Sequence, residues 1–385
     1  MKYFILIGIL LGVWACGSKG KNLSSDLVRL DFSLDTVMVN PGQEILFVNY
    51  GLYHSQLNTS KTHLYNFNHT DFAIEKINLD ELAFEEKINF SKEGPDGVGN
   101  YFRRFLLIND DTLLMSSYEQ DGFFGWDAKK IRKFDFKKVG KEGDMMPEGD
   151  FLTEVISVPG HSDVFYGLVS NWQEKSTALV KLDLKDNLFK KIEVPLFEKS
   201  KKYEIEFNDG QRGFGMGSEK FINYTGGKII IGVDVSNELY VLDPATDAIN
   251  LYTYENELTA NEKASNPPAQ VGDMKEMESL FRKIQSEIGF HRLVWDEENE
   301  VYYRLSQTLE FDDSAERPEN QLLPSASGAK VYITVFDKDL NKVAESLVPA
   351  LDKRPARHFV KDGKIWIFEN IEDEMGFVRL SVEGI

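Results

Sequence analysis

The stretch Glu93-Gly94-Pro95-Asp96-Gly97-Val98-Gly99 separates two runs of strand-like sequence. Pro95 fixes its own φ, and Gly97 and Gly99 can adopt positive φ, so the chain can reverse sharply there. A weaker echo, residues 141–150, falls where the following run of strands ends. A turn of one type between successive runs of strands predicts a repeat built from small antiparallel sheets.

Short strand patterns fill most of the chain on both sides of this stretch, and residues 44–50 (EILFVNY) are a strong example. They group into six units of about 50–60 residues, a spacing typical of a β-propeller. The last unit lacks one strand, whereas residues 27–39 are spare strand sequence. We therefore expect an all-β, six-bladed propeller over residues 27–385, with the N-terminal strand closing the last blade. A pair of β-sandwiches is the alternative.

One segment interrupts the strand pattern between the fourth and fifth units. A helical insertion is predicted at about residues 256–290, with the helix itself from Asp273 to Gly289. Asp273 and Glu276 have the spacing of a capping box, and Gly289 suits a C-terminal cap. One face of this helix is apolar and is expected to pack on the propeller. It consists of Met274, Met277, Phe281, Ile284 and Ile288.

Composition limits the possible functions. The chain has 385 residues, 42% of them hydrophobic, so it can bury a large core. Its formal net charge of −19 argues against general nucleic-acid binding and against adsorption to anionic lipid. None of the six histidines has the spacing of a metal site, and a single cysteine cannot form a cysteine-based one. No phosphate-binding or dinucleotide-binding motif is present, so neither a metal nor a cofactor is predicted.

The N-terminus reads as an export signal. Lys2 supplies a minimal positive charge, and Tyr3 to Val13 is an apolar run too short to cross a bilayer as a helix. The run ends at Ala15 and Cys16, the only cysteine of the chain, and polar sequence follows. An ordinary secretory signal, or an uncleaved anchor with an incidental cysteine, is the alternative.

A short apolar run ending in a small residue before a lone cysteine resembles a bacterial lipoprotein signal. The resemblance implies a signal peptide over residues 1–15, lipidation of Cys16 with acyl chains such as palmitate, and a tether over residues 16–26. Trp14 departs from the usual small residue at that position. Gly17 in place of Asp implies passage to the outer membrane, with the protein facing the periplasm. The expected location is therefore the cell envelope.

With its lipoprotein-like signal, spare N-terminal strand and Glu-Gly-Pro-Asp-Gly-Val-Gly junction, the chain resembles the TolB-like or NHL-like six-bladed propeller lipoproteins of Gram-negative bacteria. Many of those proteins are known only as domains of unknown function. The resemblance implies a fold and an envelope location. It supplies no catalytic residues, because a fold alone does not determine function.

Several units carry a basic residue near the start of the strand expected to line the central channel. We expect Arg104, Lys220, Arg292 and Arg357 to surround one mouth. Four further residues are expected beside them: Arg103, Arg212, Arg354 and His358. Such a cluster could bind a carboxylate, a phosphate or an acidic glycan. The alternative is that these bases pair with neighbouring acids and only hold the blades together. Aromatic residues of predicted loops are expected on the same face, as a platform for a ligand or as covers of the blades. They are Tyr53, Tyr118, Phe123, Phe124, Trp126 and Trp172.

The sequence thus favours a non-enzymatic envelope lipoprotein whose propeller binds a protein, peptide or glycan. A hydrolase or lyase acting on an anionic substrate at the channel mouth is the alternative. A deep pocket that joins the bases to an unpaired carboxylate or histidine would favour the enzyme. A shallow or plugged mouth beside exposed aromatic residues would favour the binding module.

Overall fold

The structure, a computed structural model, describes residues 30–312 and 321–385. The predicted signal peptide, Cys16 and the tether lie outside the described residues. Most of the described chain forms six antiparallel sheets of four strands each, which we number I to VI in chain order. The prediction of an all-β protein is confirmed.

Each sheet is built from consecutive strands, except that sheet VI also takes the first strand of the chain. Sheet I comprises Ser55–Leu57, His63–Asn68, Ala73–Asn78 and Ala83–Asn89. Sheet II comprises Phe102–Asn109, Thr112–Ser117, Asp121–Gly125 and Lys130–Phe134. Sheet III comprises Phe151–Val158, His161–Asn171, Ser176–Asp183 and Leu188–Ile192. Sheet IV comprises Lys220–Thr225, Lys228–Val233, Ser236–Leu242 and Ile249–Tyr252. Sheet V comprises Gly289–Asp296, Val301–Glu310, Gly328–Asp337 and Lys342–Leu347. Sheet VI comprises His358–Lys361, Lys364–Ile371, Glu374–Glu383 and Asp31–Met38.

Smaller elements connect the six sheets. Two further sheets are small, and their strands are Gly140–Lys141, Asp144–Met145, Ile205–Asn208, Gly213–Met216 and Gln270–Val271. The helices are α1 (Leu196–Lys201), α2 (Met274–Ser286) and a short 3-10 helix, Phe136–Lys138. No helix in the described ranges is long and apolar enough to cross a membrane.

Apolar side chains on both faces hold each sheet between its neighbours. In sheet IV, for example, Ile229, Ile230 and Ile231 are consecutive and all buried. A strand with both faces covered becomes a continuous apolar run instead of an alternating one. Separate apolar clusters lie between sheets I and II, II and III, III and IV, IV and V, and V and VI. A further cluster joins sheet VI to sheet I, where Trp366 and Phe377 pack with Leu64 and Ile77.

The first strand of the chain pairs with the last one. Asp31–Met38 runs antiparallel to Glu374–Glu383, from the pair Asp31 and Glu383 to the pair Met38 and Gly376. Arg379 also donates a hydrogen bond from Nε to Asp35 Oδ1 at 2.9 Å. The two ends of the chain are therefore held in one sheet.

The predicted strand at residues 44–50 is wrong. Leu46 and Val48 are buried, which produces the alternating pattern, but this segment pairs with no strand. Instead, the backbone N–H of Phe47 donates to both carboxylate oxygens of Glu75, at 3.1 and 3.2 Å. The carbonyl of Phe47 accepts from Asn66 Nδ2 at 2.7 Å. Buried polar side chains of sheet I thus replace a neighbouring strand as the backbone's partners.

The inserted helix lies where the sequence places it, with a different C-terminal end. Asp273 caps α2, since its Oδ1 accepts from the backbone N–H of Glu276 at 2.9 Å. Met277 and Ile284 are buried in the core between sheets III and IV. Gly289 does not cap the helix, because Glu287 is already extended and Gly289 begins the first strand of sheet V. The prediction of a single helix also missed α1, whose Leu196 and Phe197 are buried in the same core.

Candidate functional site

A cavity of about 1570 Å³ lies at the centre of the six sheets. One strand of each sheet, which we call its inner strand, contributes to its wall. Inner strands of consecutive sheets contact one another from sheet I to sheet VI. They are Ser55–Leu57, Phe102–Asn109, Phe151–Val158, Lys220–Thr225, Gly289–Asp296 and His358–Lys361. All six inner strands begin at the same end of the cavity, which we call the start end. The opposite end is called the far end.

The cavity wall is positively charged, although the chain as a whole carries −19. Seven basic and four acidic side chains line it, a surplus of three positive charges. The basic residues are Lys61, Arg103, Arg104, Lys137, Arg292, Arg354 and Arg357, and the acidic ones are Asp110, Glu154, Glu219 and Glu297. Five arginines, 103, 104, 292, 354 and 357, belong to the start end, and we call them the cationic rim. A cleft lined by one sign of charge concentrates ligands of the opposite sign.

Arg103 and Arg104 join sheet II to sheet III at the rim. Both donate to the carbonyl of Leu152, Arg104 at 2.7 Å, and Arg104 also donates to Thr153 O at 3.1 Å. Burial, reinforced by the neighbouring Arg103, lowers the pKa of Arg104 to about 10. Arg104 also lines a smaller pocket of about 120 Å³ between the two sheets. Among the described residues, no carboxylate lies within ion-pair distance of either arginine.

Arg292 reaches across sheet IV to an acid of sheet III. Its Nη2 contacts Glu154, and it lies 3.6 Å from Glu219 Oε1. Its Nη1 donates to Ile222 O at 3.3 Å, while Glu154 Oε2 accepts from the N–H of Ile222 at 3.1 Å. Burial opposes the charge of Arg292, but Glu154 outweighs it and the pKa is raised. For Arg292, the prediction that the bases only hold the sheets together describes the contacts well.

Arg357 joins the last sheet to the first. Its Nη1 donates to the carbonyl of Tyr53 at 2.7 Å. Burial, with repulsion from Arg292, lowers the pKa of Arg357 to about 10. No carboxylate of the described chain pairs with it. Arg103, Arg104 and Arg357 are thus held by backbone carbonyls, which leaves their charges available to a ligand.

Lys220 does not line the cavity. Its Nζ contacts Glu204, which precedes one of the short strands outside the six sheets, and both side chains are largely buried. The preceding residue, Glu219, lines the cavity instead. Of the four predicted bases, Arg104, Arg292 and Arg357 line the cavity. At the fourth position the acid Glu219 lines it, because Glu204, which holds Lys220, lies away from the inner strand of sheet IV.

Two histidines lie beside the rim. His358 Nδ1 donates a hydrogen bond to Ala356 O at 3.0 Å, and the ring centroids of His358 and His291 are 5.6 Å apart. His291 Nε2 contacts Gln307. Burial lowers the pKa of both imidazoles, so both are neutral at pH 7. His358 was predicted at the rim from the sequence, whereas His291 was not, although its position next to Arg292 could have indicated it.

Several buried polar atoms of the cavity wall lack a partner. They are Arg104 Nη1, Asn223 Oδ1 and His358 Nε2. Buried polar groups in folded proteins are nearly always hydrogen-bonded, so these three atoms are exceptions. They are shielded from solvent, so a ligand in the cavity meets them only after neighbouring side chains move. The three atoms comprise a charged donor, an amide acceptor and an imidazole nitrogen. Together they suit a ligand that carries both negative charge and hydroxyl groups.

The predicted aromatic residues do not share one face. Phe123 and Phe124 are buried within a strand of sheet II. Trp126 lines the cavity at the opposite end from the rim, since its Nε1 donates to Asp110 O at 2.7 Å, just beyond the inner strand. Tyr53 and Tyr118 do line the start end. Trp172 is exposed in a loop of sheet III and stacks on Phe151, which lines the cavity.

Histidines and acids in the described ranges form no group of three that could hold a metal ion. The closest pair of histidines is His54 and His69, with Nδ1 of the first 2.7 Å from Nε2 of the second. Burial and the charges of His69 and Arg357 lower the pKa of His54 to about 4. The two imidazoles are therefore neutral and share one hydrogen bond.

A family model described as a domain of unknown function, DUF4221, matches residues 22–347. The chain belongs to the DUF4221 family. This confirms the prediction of a family known as a domain of unknown function. A DUF4221 member from Bacteroides vulgatus, solved as a crystal structure, is 13% identical with a TM-score of 0.65. That similarity covers 93% of this chain and 100% of the other, and at this identity it shows the fold alone.

Two other solved structures are similar to this DUF4221 chain at lower scores. An auxiliary nutrient binding protein from Bacteroides thetaiotaomicron is 7% identical with a TM-score of 0.42, covering 92% of this chain and 77% of the other. The β-propeller domain of Myceliophteria thermophila Cps50 (Swd1) is 10% identical with a TM-score of 0.35, covering 91% and 99%. A comparison with curated proteins finds no match.

Proposed function

We propose that the chain is an envelope lipoprotein whose six sheets are the blades of a propeller, and that the central cavity binds an anionic ligand at the cationic rim. An anionic ligand is inferred from one observation: the side chains that line the cavity have a surplus of positive charge, although the chain as a whole is strongly acidic. Arginines held by backbone carbonyls keep their charge for a carboxylate or phosphate, which they can bind through two parallel hydrogen bonds.

The cyclic order of the apolar clusters supports a closed ring of blades. Each sheet shares a core with the next, and sheet VI shares one with sheet I. The pairing of Asp31–Met38 with the last strand supports closure by the N-terminal strand. Such closure leaves no unpaired edge between the ends of the chain. This arrangement also supports the resemblance to TolB-like or NHL-like propellers proposed from the sequence motifs.

The proposed location in the cell envelope rests on the N-terminal sequence. Cys16 at the end of a short apolar run supports lipidation, and Gly17 supports transfer to the outer membrane with the propeller in the periplasm. A ligand taken up there would be a small molecule, a glycan or a segment of a protein partner. The rim charges favour the anionic members of each class.

Titration calorimetry tests the binding function. The purified chain is titrated with citrate, inorganic phosphate and galacturonate, and with galactose as the neutral counterpart of galacturonate. We expect at least one anion to bind at a single site, with an affinity that falls as salt is added, and galactose not to bind. Equal binding of galactose and galacturonate, or no binding of any anion, would contradict the proposal.

Catalysis on the same anion is a second candidate function, favoured by one observation. The cavity joins the rim to His358, whose neutral imidazole has an unpartnered Nε2, which is the condition set above for an enzyme. This nitrogen can accept a proton, but it is shielded from solvent, so its ring must move to reach a substrate. A hydrolase or lyase would use this nitrogen as a general base. Incubation with polygalacturonate tests it: chain cleavage that is lost in His358→Gln, with binding retained, is expected for the enzyme. Uncut polymer after prolonged incubation leaves binding as the function.

A further inference from the structure

Exposed aromatic side chains surround the cationic rim on one side. In each sheet the inner strand runs from the start end to the far end, and the second strand returns to the start end. The loop between the second and third strands therefore lies at the start end. Tyr118 and Trp172 occupy such loops in sheets II and III. Tyr101 directly precedes the inner strand of sheet II, and Tyr53 lies two residues before that of sheet I. All four side chains are more than 60% exposed. We call these four residues the aromatic arc.

The aromatic arc is connected to the cavity. Trp172 stacks on Phe151 with ring centroids 5.9 Å apart and an interplanar angle of 11°, and Phe151 lines the cavity. The guanidinium of Arg103 lies 4.8 Å from the centre of the Tyr118 ring. The carbonyl of Tyr53 holds Arg357. A ligand group in the rim and a second group on the arc would therefore be neighbours.

The arc does not resemble an apolar docking surface. Polar residues flank two of its rings in the sequence: Asn171 and Gln173 flank Trp172, and Ser117 and Glu119 flank Tyr118. Isolated aromatic faces among hydrogen-bonding side chains suit a sugar ring, which has an apolar C–H face and polar edges. A protein partner would more often require a contiguous apolar patch.

We propose that the ligand is an acidic oligosaccharide, a chain of sugars that carry carboxylates. One uronate would place its carboxylate among Arg103, Arg104 and Arg357, and its neighbours in the chain would stack on Trp172 and Tyr118. This inference rests on the proposed anion binding and adds the class of ligand. The unpartnered atoms of the cavity wall, such as Asn223 Oδ1, are shielded from solvent, so the guanidinium groups of the rim and the exposed rings of the arc carry this proposal.

Calorimetry with ligands of different length tests this proposal. The probes are galacturonate, trigalacturonate and a hyaluronate tetrasaccharide, with fully methyl-esterified trigalacturonate as the neutral control. We expect an oligosaccharide to bind at least roughly tenfold more tightly than its monosaccharide, since each stacked ring adds to the affinity. The esterified trimer should bind far more weakly. Octaglutamate and an oligodeoxythymidine are included as a peptide and a nucleic acid of similar charge.

Two variants locate the effect on the arc. Trp172→Ala and Tyr118→Ala are each expected to weaken oligosaccharide binding by roughly three- to tenfold. Trp172→Ala should leave binding of the monosaccharide unchanged. Tyr118→Ala also removes the ring beside Arg103, so it is judged by a fall in the ratio of oligosaccharide to monosaccharide affinity. Trp172→Phe and Tyr118→Phe should restore much of the affinity because they keep a ring. Leu251→Ala, an exposed apolar residue on the outermost strand of sheet IV, is the control and should bind normally.

The outcomes separate this inference from the binding function itself. The proposal of an oligosaccharide ligand is wrong if galacturonate binds tightly and neither oligosaccharide binds more tightly. It is also wrong if the arc variants have no effect on binding. Either result leaves the proposed anion site in place. Tighter binding of octaglutamate or of the oligonucleotide than of every sugar also overturns the oligosaccharide proposal. If no anion binds at all, the proposed function fails first.

Discussion

Arg357 Nη1 donates a hydrogen bond to Tyr53 O at 2.7 Å, joining the sixth sheet to the first across 304 positions of sequence. The same guanidinium lines the central cavity without a carboxylate partner in the described part of the chain. Arg357 therefore joins the first and last sheets and also contributes a positive charge to the cationic rim.

Replacing Arg357 should affect both properties. Arg357→Ala is expected to lower the free energy of unfolding by about 1 kcal/mol, the usual contribution of one hydrogen bond. It should also weaken anion binding by more than Arg212→Ala, which removes an exposed arginine paired only with Asp209. Urea denaturation and calorimetry measure the two effects. Normal binding by a less stable Arg357→Ala variant would mean that the residue is structural only.

The ion pair of Arg292 and Glu154 sets the charge available at the rim. Glu154→Gln removes the negative charge closest to Arg292 and leaves only Glu219, 3.6 Å away, opposite the guanidinium, so anion affinity should rise. Stability should fall, since the pair and its contact with Ile222 are partly buried. Arg292→Gln should lower anion affinity. If both variants bind the anion as the unmodified protein does, the pair lies outside the binding site.

The N-terminal strand should be required by the whole domain. Deleting residues 27–39 removes the strand paired along Glu374–Glu383 and exposes its backbone groups. We expect a large fall in the melting temperature and increased aggregation. Deleting residues 17–26, the predicted tether, is the control. A melting transition that the longer deletion leaves unchanged would refute closure by this strand.

The pair of His54 and His69 predicts a loss of stability in mild acid. The pKa of His54 in the folded protein is about 4, below the ordinary value of 6.5. The unfolded chain therefore takes up a proton at a higher pH than the folded one. This stability is fully present above pH 6.5 and is lost as the pH falls towards 4.

Variants at the histidines check the sign of this dependence. Unfolding by urea is followed at pH 7.5 and pH 5 for the unmodified protein, His54→Asn and His161→Asn, the last being exposed in sheet III. The loss of stability between the two pH values should be smaller in His54→Asn and unchanged in His161→Asn. A constant loss in all three proteins would show that other groups cause the dependence.

Lipidation can be tested separately from the fold. Cys16→Ser should abolish lipid attachment and leave the protein soluble after export, since no other cysteine is present. Mass spectrometry of the mature protein and fractionation of the membranes measure this. A mature Cys16→Ser protein that still carries lipid would contradict the proposed address.

Local patterns predicted much of the fold. The turn between sheets I and II forms as predicted: the N–H of Gly97 donates to Gly94 O at 3.0 Å, and Gly99 has a φ of 109°, although Gly97 does not have a positive φ. This turn, the spare N-terminal strand and the capping pair of α2 were predictable because each signal lies within a short stretch of sequence. The segment at 44–50 misled because its partners, Glu75 and Asn66, are side chains of distant positions. The helix α1 was missed because its six residues are too few to establish a helical period.

The candidate site was harder to predict, because its geometry depends on long-range contacts. Position along the inner strands correctly brought Arg104, Arg292 and Arg357 to one cavity. Lys220 was misplaced because Glu204 draws it away. Trp126 was assigned to the wrong end, since its loop follows a third strand and lies beside Asp110. Only the assembled structure reveals unpartnered atoms such as Asn223 Oδ1.

The most direct test of the account is a crystal structure of the protein grown with saturating citrate, a small anion with several carboxylates. We predict citrate in the central cavity, with a carboxylate within hydrogen-bond distance of Arg104 Nη1 and a second one beside Arg357. The same crystals of Arg104→Gln, Arg357→Gln should show an empty cavity. Citrate bound only on the outer surface, or an unoccupied cavity in the unmodified protein, would contradict an anion-binding function.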